Sequence, residues 1–243
     1  MQHRLRRASA LPAAILFAAL TVLPGTAARA DTLKPYRATY NGIWHGMVVA
    51  VSTLTLEQTG DTWTYTSRSE PRGIGRLASG VFPPLQVSVV RVTDAGVLPL
   101  SYKSSGGDAA KSVDLRYDWQ SRRVTGTYEG TAVDLPLNPQ VQDDASIQLA
   151  LMVELLAGRT PKSFQMIDKN SVREYNLAKD TETTLQTELG PVPTVVYKAQ
   201  KAYSPRVTRF WCAPGRGYIP MKVEQTKGDD VQWTLQLQSL KRG

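Results

Sequence analysis

Cys212 is the chain's only cysteine, in the run Arg209-Phe210-Trp211-Cys212-Ala213-Pro214-Gly215-Arg216. A thiol becomes a nucleophile when a helix N-terminus, a cation or a histidine lowers its pKa. The run reads as a strand entering a Pro-Gly turn, where a free cysteine behaves as a small apolar residue. A Ser-His-Asp or Cys-His arrangement would have to recruit His45, since the other histidine, His3, sits in the N-terminal leader. His45 lies in Gly42-Ile43-Trp44-His45-Gly46-Met47 and reads as a turn or strand-end residue. One histidine and one cysteine do not supply the usual ligand set of a zinc site, so no metal and no cofactor is expected. No catalytic residue is assigned, and Cys212 remains the one thiol candidate for a hydrolase.

Two further groups of side chains carry charge in suggestive places. Glu154 falls within a stretch, Ile147 to Leu156, that is otherwise apolar except for Gln148. A carboxylate there needs a partner or a polar opening, because a lone buried charge is costly. A structural ion pair is the ordinary outcome, and an acid of raised pKa in a cavity the rarer one. Arg68, Arg72 and Arg76 share the segment Ser67-Arg68-Ser69-Glu70-Pro71-Arg72-Gly73-Ile74-Gly75-Arg76. Guanidinium forks suit phosphate or carboxylate groups. The glycine spacing is not that of a dinucleotide fold and no P-loop lysine follows, so a solvated loop is the default. Arg68, Arg72, Arg76 and Glu154 are the candidate ligand-binding residues.

The elements that must position these residues are mostly strands. Val113, Leu115, Tyr117 and Trp119 alternate with polar neighbours, as do Val231, Trp233, Leu235 and Leu237, and Trp63 with Tyr65. Such period-two alternation gives a strand one apolar and one polar face. Asn41-Gly42, Gly60-Asp61, Glu129-Gly130, Gly190-Pro191 and Gly228-Asp229 supply turn chemistry. The apolar phase shifts between Val48 and Leu56, which predicts a bulge near Ser52 or Thr53. About a dozen strands are expected. One segment differs: Asp143 to Gly158 reads as a helix, with an aspartate capping its first turn and Gly158 as the left-handed stop. Asp144 suits the positive end of the helix dipole. The helix interior is apolar nearly all round apart from Gln148 and Glu154, so it must be buried on most sides. It is too short to cross a bilayer. The expected fold is therefore mainly β: a strongly curved antiparallel sheet, barrel-like or spiral, wrapping one central apolar α-helix. The tryptophans, spread from Trp44 to Trp233, are expected in the core or lining a cavity.

Residues 1–30 read as a cleaved secretory leader, with Arg4, Arg6 and Arg7 ahead of an apolar run and Ala28-Arg29-Ala30 as the cleavage pattern. No cysteine lies near that boundary for acylation. The remainder, residues 31–243, is expected to form a single β-rich periplasmic domain. The chain's net charge is +8, but four arginines belong to the leader, leaving 25 basic against 21 acidic residues, or +4. That balance argues against a nucleic-acid partner. One cysteine excludes an internal disulfide. At 42% hydrophobic residues, burial and sheet pairing can supply the stability instead.

The order of these features resembles the exported bacterial family described as domain of unknown function 3108. The matching stretches start at Gly46, where a first long strand opens. They continue with Gln142-Asp143-Asp144-Ala145-Ser146 opening the helix that ends at Gly158, then Val172 to Leu177 and Leu189-Gly190-Pro191-Val192-Pro193-Thr194. Trp211-Cys212-Ala213-Pro214 ahead of Tyr218-Ile219-Pro220 completes the set. An apolar residue commonly stands where Cys212 is, which favours the filler role of this thiol. The resemblance implies a periplasmic β-rich fold and, more loosely, a likeness to other spiral-sheet envelope proteins. It brings no catalytic residues. Three functions are then open. The first is a non-catalytic envelope protein, monomeric and without a membrane span, binding a protein, glycan or lipid partner. The second is a carrier of an apolar ligand within the curled sheet, favoured by an unfilled cavity beside the helix. The third is a hydrolase using a carboxylate or Cys212.

Overall fold

The computed structural model describes residues 32–73, 82–105 and 109–243. The first eight strands are β1 (Tyr36–Trp44), β2 (Met47–Thr59), β3 (Thr62–Pro71), β4 (Leu85–Thr93), β5 (Gly96–Ser105), β6 (Val113–Asp118), β7 (Arg123–Tyr128) and β8 (Thr131–Pro136). A two-residue strand β9 (Val141–Gln142) and the helix α1 (Ser146–Leu156) follow. The last six strands are β10 (Ser163–Asp168), β11 (Ser171–Thr187), β12 (Gly190–Lys201), β13 (Arg206–Ala213), β14 (Ile219–Lys227) and β15 (Asp230–Arg242).

All fifteen strands belong to one sheet, ordered β8-β7-β6-β5-β4-β3-β2-β1-β15-β14-β13-β12-β11-β10-β9. The chain meanders outward from β1 to β8, crosses through β9 and α1, and meanders back until β15 pairs with β1. The sheet is open, with β8 and β9 as its edges. Every pairing is antiparallel except β9 with β10, where Val141 and Gln142 lie parallel to Gln165 and Met166. That exception follows from the crossover, since a helix intervenes between the two strands.

The alternation seen in the sequence sorts side chains as expected on β1, β2, β3 and β6 but not on β15, where register shifts leave Val231 exposed and Thr234 buried. Tyr36, Ala38 and Tyr40 on β1, Leu54 and Leu56 on β2, Trp63 and Tyr65 on β3, and Val113, Leu115 and Tyr117 on β6 are all buried. They form one core cluster with Leu149 to Val153 and Leu155 of α1. The helix is apolar nearly all round because most of its side chains are buried. Gln148, its polar exception, donates from Nε2 to the Tyr36 hydroxyl at 3.5 Å. Among the described residues, no helix is long and apolar enough to cross a membrane.

Several local expectations shift. Asn41-Gly42 is not a turn but part of β1; the turn falls at His45-Gly46. Gly42 stands there because a Cβ would meet the Phe82 ring at 3.1 Å and Ala50 Cβ at 3.2 Å. The bulge in β2 lies at Val49, where Gly42 pairs with Ala50 and Ile43 with Val48, not at Ser52 or Thr53. The Gly190-Pro191 turn is displaced to Glu188-Leu189, with Gly190 opening β12. The regular helix begins at Ser146 rather than Asp143. Its first i to i−4 bond, Ile147 N to Asp143 O at 3.1 Å, nevertheless starts at Asp143. Asp143 Oδ1 accepts from Ala145 N at 2.9 Å and Ser146 N at 2.7 Å, while Ser146 Oγ accepts from Asp143 N at 2.9 Å. This is a reciprocal capping box. At the other end Gly158 takes φ +72°, the left-handed stop the sequence suggests.

Candidate functional site

The residues singled out from the sequence do not gather into one site. Cys212 lies on the inner side of β13 and is wholly buried. Burial pushes its thiol far above the ordinary range, which leaves it protonated and inert. His45 is exposed in the β1–β2 turn with φ +47°. Glu154 takes the structural role: its carboxylate accepts from Arg159 Nε at 2.7 Å and Nη2 at 2.8 Å, a bidentate pair closing the end of α1. Arg68 and Arg72 are exposed near the end of β3, and Arg72 lies 3.7 Å from Glu70. Arg76 lies outside the described residues, as does the leader, residues 1–30. Among the described residues no group of three His, Cys, Asp or Glu side chains comes together as a metal site.

The structure brings together a different set. A cavity of about 360 Å³ opens beside the first turn of α1. Leu54, Tyr65, Phe82, Phe210, Val223 and Trp233 form its apolar walls. The Phe82 and Trp233 rings meet edge to face at 6.3 Å between centroids. Polar groups collect on the β2–β4 wall and at the helix. Ser52 and Ser69 share a hydrogen bond of 2.8 Å, and Gln86 Nε2 donates to the Tyr102 hydroxyl at 2.8 Å. Asp144 and Gln148 line the helix side.

Asp143 and Asp144 form the electrostatic centre of this end. Asp143 is fully committed: besides the helix cap, its Oδ2 accepts from Ser88 Oγ at 2.8 Å. Burial nevertheless raises its pKa to about 6, against the opposing effect of those hydrogen bonds. Asp144 is solvent-exposed where the cavity opens. Partial loss of solvation, reinforced by the charges of Asp143 and Asp168, pushes its pKa upward, and solvent at the exposed carboxyl limits the rise. The Tyr128 hydroxyl donates to its Oδ2 at a long 3.5 Å. Among the described residues no ion pair reaches either carboxyl. Asp168 is matched by Lys201 Nζ at 2.9 Å. Tyr102 and Tyr117 are buried within range of the same two carboxylates, whose charges add to burial in holding both phenols protonated. The Tyr117 hydroxyl has no hydrogen-bond partner among the described residues.

The sequence reading takes Asp143 and Asp144 only as a cap. The signal that distinguishes them is a surplus: one aspartate satisfies a helix N-terminus, and the second stands at the mouth of the cavity.

The DUF3108 family, a family of proteins of unknown function, matches residues 35–232. The chain belongs to this family. No curated protein matches it. Among solved structures, a β-barrel-like protein of Brucella abortus with the domain of unknown function DUF1849 is similar over 87% of this chain and 98% of its own. The TM-score is 0.51 and the identity 11%, a likeness of fold alone. A protein of Bacteroides fragilis described as exported, with a YmcC-like fold, aligns over 86% of this chain and 96% of its own (TM-score 0.39, identity 12%). The β-barrel-like character expected of this DUF3108 chain is therefore shared by a solved relative in fold.

Proposed function

We propose that this DUF3108 protein is a non-catalytic binder of the cell envelope that holds an amphiphile, a molecule with an apolar chain and a polar head, inside its curled sheet. In this reading the sheet wraps α1, and the helix fills the far half of the cup while leaving the half beside its N-terminus open. The cavity of about 360 Å³ carries the reading: it falls within the range of small-molecule sites, with aromatic and aliphatic walls and a few convergent polar groups. Exposed apolar side chains support it. Met47, Val48 and Val231 are 49%, 47% and 44% exposed, and strand pairing puts them at the cavity end of the sheet, beside Phe82 and Trp233. Such a lip suits entry of an apolar chain from a lipid surface. The leader pattern of residues 1–30 supports export to the periplasm, and the buried Cys212 and the paired Glu154 speak against a hydrolase.

Titration with decanol, followed by tryptophan emission, tests this. Trp233 lines the cavity, so a saturable change in emission and a rise in melting temperature are expected. Ala199→Leu adds bulk to the cavity wall and should weaken binding about tenfold or more while the protein stays folded. Equal binding by wild type and the filled variant would place the alcohol elsewhere and remove the reading.

A further inference from the structure

We propose that the rim beside the last turn of α1 is a binding site for a phosphate group, formed by the guanidiniums of Arg216 and Arg242 with Lys34 beside them. It is separate from the amphiphile cavity and shares no lining residue with it: that cavity adjoins the first turn of α1, this site the last. Arg216 ends the one-turn helix Pro214–Arg216 that follows β13. Arg242 is the last residue of β15 and pairs with Tyr36 of β1. Paired residues project to the same face and Tyr36 is buried, so the Arg242 side chain leaves β15 on its inner face, at the rim. Its Nη2 lies 3.6 Å from the position a Cβ would take on Gly217, which brings it beside Arg216. Two cavities flank the pair and have both arginines as walls. One, of about 130 Å³, lies between Leu33 and Tyr36 on one side and Met152 and Leu156 of α1 on the other. The second, of about 480 Å³, faces Pro191 to Pro193 at the start of β12.

The two guanidiniums are unmatched. Of the arginines among the described residues only Arg209 and Arg216 are half-buried, the others being exposed. Arg209 has the partners that a partly buried cation needs, Asp180 Oδ2 at 3.5 Å and Thr226 Oγ1 at 3.4 Å. Arg216 has neither an ion pair nor a side-chain hydrogen bond among the described residues, and the same holds for Arg242 and Lys34. No aspartate or glutamate lines either cavity. Like charges held this close repel, and a guanidinium partly withdrawn from water without an acceptor costs free energy. An anion relieves both. The carbonyl end of α1 supplies only about half a negative charge against three positive ones. Two planar forks and an ammonium match the several oxygens and double charge of a phosphate, whereas a carboxylate would engage a single fork.

The test compares inorganic phosphate with acetate by calorimetry at pH 8 and low salt. Phosphate should bind saturably and about tenfold or more tighter than acetate. Arg216→Gln and Arg242→Gln should each weaken phosphate about tenfold. Arg206→Gln removes an exposed arginine that lines neither cavity and should leave the affinity unchanged. Both rim variants should keep the wild-type melting temperature in phosphate-free buffer, because the groups they remove make no bond. Phosphate should raise the melting temperature of the wild type but not of the protein carrying both rim substitutions. Sedimentation with phosphatidylglycerol vesicles identifies the source of the phosphate. Vesicle binding that both rim substitutions abolish assigns a lipid head, and free phosphate held without vesicle binding assigns a soluble one. Phosphate bound no tighter than acetate, or bound equally after both rim substitutions, would overturn the site. So would an equal loss in Arg206→Gln, which would reduce the effect to diffuse attraction by a basic chain. Decanol binding should be untouched by the rim variants, so this site and the amphiphile cavity fail separately.

Discussion

Single residues in this protein are decided by what surrounds them rather than by their chemistry in isolation. Cys212 pairs with Val195 and Pro220 on the neighbouring strands and has no exposed surface. It should therefore stay unreactive toward a thiol reagent in native buffer and react fully once denaturant opens the core. Cys212→Ala should cost about 1 kcal/mol, the loss of a small apolar filler, as measured by denaturant midpoint. Fast labelling of the native thiol would contradict the burial. Gly126 is the opposite case, a residue with no side chain whose replacement is severe. It takes φ +142°, and a Cβ there would lie 2.0 Å from the Asp114 carbonyl oxygen across the β6–β7 pairing. No rotamer relieves a backbone contact, so Gly126→Ala should destabilise by more than about 3 kcal/mol or abolish folding. Neither outcome was legible in composition. The thiol's inertness followed from the pattern around it, whereas Gly126 lies in Arg123-Val124-Thr125-Gly126-Thr127-Tyr128 like any strand glycine.

Elements were legible to the degree that one periodicity governed them. The strands with Val113 to Tyr117 and Trp63 to Tyr65 bury the face their alternation names. The helix was legible because its apolar run was too long for a strand and was closed by Asp143 and Gly158. What misled was turn chemistry read without its partners. Asn41-Gly42 looks like a hairpin, but this glycine accommodates the Phe82 ring inside β1, a contact between segments forty residues apart. The bulge at Val49 was misplaced because Val49 and Ala50 are both buried, Val49 in a second small cluster with Phe82 that the sequence does not announce. The site was least legible of all. Tyr102, Tyr117 and Tyr128 come from three different strands, β5, β6 and β7; Tyr128 reaches Asp144 and the other two lie within range of its charge. At this scale the cap gives a direct test. Asp143 Oδ1 holds two N–H groups of the first turn and Oδ2 holds Ser88 of β4, so it ties α1 to the sheet. Asp143→Ala should lower stability by roughly 2–3 kcal/mol, against about 1 for a surface cap, and Ser88→Ala should cost only the smaller share. Equal, small effects of both would mean the helix is held by its apolar contacts alone.

At the scale of the whole molecule, the paired acids make the balance of folding depend on pH in an unusual direction. Most carboxylates are stabilised in folded proteins and resist folding only when acid protonates them. Asp118, whose carboxylate accepts from the Ser121 and Gln120 amides, and Glu182, bonded by Lys179, behave that way and titrate below the ordinary carboxyl range. Asp143 and Asp144 are reversed. In the folded protein buried Asp143 holds its proton up to about pH 6 and exposed Asp144 shifts the same way to a smaller extent, whereas the unfolded chain releases both near 3.8. The native state therefore binds more protons than the unfolded state between those limits. Stability contributed by this pair is present at the lower end of the window and is lost as pH rises through about 6. The melting temperature should accordingly rise by a few degrees between pH 8 and pH 5.5. Cavity water around Asp144 keeps the change smaller than the full shift would imply. Asp144→Asn should remove only the smaller share of that rise, since most of it belongs to buried Asp143. A melting temperature that falls or stays level from pH 8 to pH 5.5 in the wild type would mean that the Asp143 carboxyl is solvated or neutralised in the native state, contrary to its burial between α1 and β4.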